Sequence, residues 1–165
     1  VELIATVRAN GGRVALDTSG EALATGLSAA PELAKPNLAE FQELTGRPAD
    51  PGDARAWAER LRSVRAEYRL PRLAVSLGDS GAVMLDEDGN TWFADALPVT
   101  VAGTVGAGDA FLAGLLTGII FGEEPAATLR RATAYAACSL ESLDRRLPGG
   151  AVLRDRIRQV RVIRG

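Results

Sequence analysis

Residues 99–116, "VTVAGTVGAGDAFLAGLL", place Gly103, Gly106, Gly108 and Asp109 directly before an apolar stretch of helical character. One residue suffices to cap a helix, and each extra glycine costs backbone entropy, so this supply of glycine points to another use. Gly106 and Gly108 let consecutive backbone N–H groups, here with that of Ala107 between them, converge on an anion. The positive end of the following helix adds to that cradle. Two known phosphate patterns fail: no lysine follows the last glycine, as a Walker A loop requires, and a dinucleotide fingerprint counted from Gly106 would need glycine where Phe111 stands. Asp109 has two readings, which local chemistry leaves open. It is a first-turn carboxylate that satisfies orphan N–H groups, or it is a base that takes a hydroxyl proton during phosphoryl transfer.

"KPNLAEF" carries the same ambiguity. Asn37 with Glu40 fits a capping box, and Glu40 equally suits magnesium held through its waters. Lys35 is a solvated lysine or a point charge for a phosphate. "SLGDSG", with Ser76, Gly78 and Gly81, is a turn between strands or a backbone platform for a nucleotide. Asp17 reads as a turn former, and Trp57, Trp92 and Cys138 read as packing residues.

The elements that must hold these residues alternate. A helix from the start stops at Asn10-Gly11-Gly12, "RVALD" is a short buried strand, and "EALATGL" is a helix. "LAK" is short and extended before Pro36. "NLAEFQELTG" is a helix from Asn37 to Gly46, and "GDARAWAERLRSVRAEY" is a helix with Pro51 in its first turn. "RLAVSLG" is a strand, "AVMLD" and "TWFAD" form a hairpin turning at Asp88-Gly89, and "LPVTV" is a further strand leading into the glycine loop. Helices over "DAFLAGLLTGIIFG", from Pro125 onward, and after "PGG" complete the chain. This is an α/β pattern: a layered domain with a mostly parallel sheet and an inserted β-hairpin.

Composition narrows the chemistry. The chain has 165 residues, 47% of them hydrophobic, and a formal net charge of −2. Its 19 Lys and Arg are scattered and form no basic stripe for nucleic acid. With no histidine, Ser-His triads and His-ligated zinc are excluded. The lone cysteine excludes a disulfide framework and fits a reducing, cytoplasmic setting. The apolar run 110–121 is too short to span a bilayer, so no membrane is expected. The start at Val1, entering a helix at once, suggests a piece of a larger protein.

Taken in order, "VALDTSGEAL", "KPNLAEF", "VSLGDSGAVML" and "TVGAGDAFLAGLL" resemble the PfkB carbohydrate kinases, a ribokinase-like family with an α/β/α fold. They are most similar to its sugar-phosphate branch, which acts on fructose 1-phosphate, fructose 6-phosphate or tagatose 6-phosphate. The resemblance implies ATP-dependent phosphoryl transfer, with fructose 1-phosphate giving fructose 1,6-bisphosphate as the expected reaction. It implies that Asp109 is the base and that Gly106, Ala107 and Gly108 are an anion hole. It further implies that Lys35, Asn37, Ser76, Gly78 and Gly81 face the nucleotide and that Asn37 and Glu40 arrange Mg²⁺. Gly103 stands where ribokinases usually have an aspartate that helps hold a monovalent cation, so that requirement does not carry over. Family members are about twice this long, and the matched blocks belong to the carboxyl half. Residues 1–165 are therefore expected to be a partial domain without the amino-terminal half and its lid, from an enzyme that is a homodimer. The competing readings are a nucleotide-binding module inactive by itself and, from another class, a dinucleotide-dependent oxidoreductase.

Overall fold

The computed structural model describes residues 1–144 and 146–165. They divide into two compact units: Val1–Leu77 with Met84–Thr91 and Gly165, and Gly78–Val83 with Trp92–Arg164.

In the first unit, helix α1 (Glu2–Ala9) ends where the sequence places its glycine stop, with the Gly12 N–H returning to the Val7 carbonyl at 2.9 Å. Strands β1 (Ala15–Leu16), β2 (Leu33–Ala34) and β3 (Arg72–Ser76) pair in that order, both ladders parallel. Parallel neighbours need crossovers, supplied here by α2 (Gly20–Leu27) and then by α3 (Leu38–Thr45) with α4 (Ala54–Tyr68). β2 is short because Pro36, two residues past its end, has no N–H to extend the ladder.

Trp57, Ala58, Leu61 and Val64 recur at helical spacing on α4, and all are buried. The Trp57 ring sits 5.2 Å from that of Phe41, and its Nε1–H donates to the Asp50 carbonyl at 2.9 Å, which satisfies the buried indole. α4 starts later than Pro51 suggests. Asp53 is the N-cap, its side chain taking the Ala56 N–H at 3.0 Å, and that bond decides the helix start. The expected turn after "AVML" is present, with Asp86 Oδ1 accepting the Asn90 N–H at 2.8 Å and Gly89 at φ +83°.

In the second unit, β5 (Thr91–Ala94) pairs antiparallel with β6 (Val162–Arg164), Phe93 opposite Ile163. β4 (Ala82–Leu85) precedes β5 in the chain. The sequence reading missed β6. It also expected a strand over "LPVTV", which is a loop without a ladder: Pro98 cannot donate, and Val101 is 55% exposed. α5 (Ala107–Ile120) packs against α6 (Pro125–Leu140), which begins at proline as expected, and α7 (Gly150–Gln159) follows. A Cβ at Gly114 would lie 2.5 Å from the Ala132 Cα, and one at Gly118 would lie 2.6 Å from Thr128 Oγ1. Glycine there is a condition of the helix pairing. Among the described residues no helix is long and apolar enough to cross a membrane.

Candidate active site

The carboxyl ends of parallel strands are where open α/β sheets take ligands. In the first unit Asp17 follows β1, Lys35 follows β2, and Ser76 closes β3. The Lys35 N–H donates to the Leu16 carbonyl at 3.0 Å and the Ser76 N–H to the Pro36 carbonyl at 3.3 Å, so backbone pairing fixes this edge. Asn37 and Ser76 form a further parallel bridge.

Asn37 begins α3 with the full capping box. Its side chain accepts the Glu40 N–H at 3.0 Å, and Glu40 Oε2 accepts the Asn37 N–H at 2.8 Å. The cap therefore holds as the sequence suggests. It uses one carboxylate oxygen of Glu40 and leaves Oε1 for another partner. No cluster of three or more metal-ligating side chains occurs among the described residues. A single half-buried carboxylate does fit Mg²⁺, which keeps several waters and takes its remaining ligands from substrate phosphates.

Lys35 is not the solvated residue that its bland reading supposes. It is 4% exposed, and its Nζ lies 3.1 Å from Asp17 Oδ1. Asp17, which the sequence reading takes for a turn former, is thus the counter-charge of a buried ammonium. Its signal in the sequence is positional: a charged residue directly after β1, as Lys35 is directly after β2.

In the second unit the glycine loop enters α5. Gly106 is the N-cap at φ +91°, a left-handed conformation that an L side chain strains to adopt. Ala107, Gly108 and Asp109 form the first turn, and the first helical bond runs from the Ala110 N–H to the Gly106 carbonyl at 2.9 Å. The N–H groups before it lie outside the helix ladder, and no N-cap side chain covers them. Asp109 is exposed, and among the described residues its carboxylate accepts no hydrogen bond. The reading of Asp109 as a carboxylate that satisfies orphan N–H groups is corrected here: at the third helical position its oxygens take no such bond among the described residues. The loop is anchored behind, where the Ala102 and Gly103 N–H groups both donate to the Leu140 carbonyl, at 2.8 and 3.2 Å.

Gly78 and Gly81 flank a 3₁₀ turn, at φ +65° and +92°. Gly78 is exposed, with open space where a Cβ would sit. Gly81 is buried, and a Cβ there would fall 1.9 Å from the Ala94 carbonyl oxygen. Close backbone packing accounts for that glycine by itself.

A sequence model of pfkB family carbohydrate kinases matches residues 1–148. The chain belongs to the pfkB carbohydrate kinase family. A 1-phosphofructokinase of Rhodobacter capsulatus is 39% identical over 153 residues, which take in 89% of this chain and 45% of that protein. The 1-phosphofructokinase of Escherichia coli K12 is 39% identical over 127 residues, 77% of this chain and 39% of its own. Among solved structures, Escherichia coli phosphofructokinase-2 in complex with substrates and products superposes with a TM-score of 0.83 at 27% identity, over 95% of this chain and 50% of that one. This pfkB chain thus spans less than half the length of the curated relatives it matches.

Proposed function

We propose that this pfkB chain is the carboxyl-terminal, nucleotide-binding and catalytic part of a cytoplasmic, homodimeric kinase that phosphorylates a sugar phosphate with ATP. Fructose 1-phosphate is the first acceptor to test, on the strength of the 1-phosphofructokinase relatives. Fructose 6-phosphate and tagatose 6-phosphate are the alternatives. The observation that carries the reading is the start of α5: a first turn with no N-cap side chain, and on it an aspartate whose carboxylate takes no hydrogen bond among the described residues.

Phosphoryl transfer asks little covalent chemistry of the protein and a great deal of positioning and charge stabilisation. Asp109 accepts the proton of the attacking sugar hydroxyl through an oxygen that is not engaged elsewhere. The backbone N–H groups from Gly106 to Gly108 hold the charge that builds on the transferred group, helped by the α5 dipole. Lys35 meets a phosphate of the nucleotide as a point charge, and Ser76, Gly78 and Gly81 lie on the nucleotide side. Mg²⁺, when bound, neutralises phosphate charge. Glu40, through the oxygen its cap leaves free, and Asn37 beside it would hold the ion.

The test is the intact kinase with MgATP and each of the three sugar phosphates, with the bisphosphate product measured. Turnover highest on fructose 1-phosphate supports the reading, and no ATP-dependent product from any of them rejects it. Thermal-shift titration of the 165-residue chain separates the nucleotide classes. MgATP should raise its melting temperature, and stabilisation by NAD alone would reject the kinase reading.

A further inference from the structure

Lys35 is the one lysine of a chain rich in arginine, and it is buried: its side chain is 5% exposed while that of Asp17 is 27% exposed. An ammonium ion taken that far from water needs a counter-charge, and Asp17 Oδ1 supplies it at 3.1 Å. The pairing is built into the sheet. Ala15 stands opposite Leu33 and Leu16 opposite Ala34, so one further step of the parallel register sets Asp17 beside Lys35. An ammonium carries three N–H donors, and one contact with one carboxylate oxygen leaves two of them without an acceptor among the described residues. The pair also lies at the carboxyl edge of β1 and β2, where this fold class takes its ligands.

We propose that Asp17 is a positioning residue, which holds the Lys35 ammonium in place so that its remaining donors meet a phosphate of the nucleotide. This rests on the kinase reading above. Asp17 touches neither substrate in the proposal and acts through Lys35. The opposite effect of a carboxylate beside a phosphate site is repulsion, and the two effects predict opposite signs on removal of the charge.

The experiment is a double-mutant cycle in the intact kinase with Asp17→Asn, Lys35→Met and both together, reading KM for ATP and for the sugar phosphate separately. Asp17→Asn should raise KM for ATP by about tenfold or more and leave KM for the sugar phosphate within about twofold. In the Lys35→Met background the same change should have no further effect on KM for ATP, because its route of action is gone. Asp17→Glu keeps the charge and should recover part of the ATP affinity. If Asp17→Asn does not fold, Asp17→Glu against wild type and the charge-free double variant against Lys35→Met carry the same comparison. An unchanged or lowered KM for ATP, or losses that simply add in the double variant, would overturn the proposal. These outcomes presuppose a wild-type enzyme that uses ATP. A wild type without ATP-dependent turnover rejects the kinase reading instead.

Discussion

Asn37 and Glu40 hold each other's backbone: the Asn37 side chain takes the Glu40 N–H at 3.0 Å, and Glu40 Oε2 takes the Asn37 N–H at 2.8 Å. This reciprocity ties the edge of β2 to the first turn of α3. Glutamine can replace glutamate in such a box, since its carbonyl oxygen accepts the same bond. Structure and metal affinity are therefore separable at one residue. Glu40→Gln should leave the melting temperature nearly unchanged while raising the Mg²⁺ concentration that the intact kinase needs for half-maximal rate. Asn37→Ala, which removes the N-cap acceptor, should cost about 1 kcal/mol in denaturant unfolding. A Glu40→Gln enzyme with wild-type Mg²⁺ dependence would limit Glu40 to its cap.

Among the described residues Asp109 contributes no side-chain hydrogen bond to the fold, so its loss should be felt in chemistry rather than stability. Asp109→Asn in the intact kinase should lower kcat by several powers of ten with KM for ATP little changed. Its stability cost should stay within about 1 kcal/mol, the size of a carboxylate's interaction with an exposed helix dipole. Turnover within a few-fold of wild type would remove Asp109 from the role of base.

The α5–α6 pairing gives a graded prediction for glycine. Gly114→Ala brings a Cβ to 2.5 Å from the Ala132 Cα, a backbone atom that cannot step aside cheaply. Overpacking of this kind should cost about 1–3 kcal/mol. Gly103→Ala, at a position with nothing within 4 Å of the added Cβ, should be nearly neutral. Gly81→Ala meets both a positive φ of +92° and the Ala94 carbonyl, and should prevent folding. Circular dichroism melts of the three variants give the ranking.

Cys138 is buried on α6, and burial pushes its thiol up from the ordinary range, with Arg156 pulling the other way and Glu141 adding to the rise. The native chain should react slowly with a thiol reagent at neutral pH, and fast once unfolded, because the thiolate is the reactive form. The raised pKa also has a sign for stability. The folded state keeps its proton where the unfolded chain has lost it, so this contribution is full below the unfolded thiol pKa and is lost as pH rises through the folded one. Unfolding midpoints measured at neutral pH and above the ordinary thiol range should fall at the higher pH, and the fall should shrink in Cys138→Ala.

Local patterns determined much of this protein. The Gly46 stop, the Asn37 cap, the Pro125 start of α6 and the turn at Gly89 each depend on a few neighbouring residues, and each is found where those residues place it. The order of "DTSGEAL", "KPNLAE", "SLGDSG" and "GAGD" was likewise enough to indicate the family, because residue types at fixed spacing survive in a linear reading. Tertiary structure decided what depends on partners distant in the chain. "LPVTV" has the composition of a strand, yet no ladder forms on it, and β6 exists because β5 gives its three residues a partner. Gly81 is fixed by the close approach of the Ala94 carbonyl, and Gly114 by the backbone of α6. Lys35 and Asp17 stand eighteen positions apart and read singly as surface residues; the parallel register of β1 and β2 makes them an ion pair in which the ammonium is buried. Burial and charge pairing are properties of the packed chain, and no window along the sequence contains them.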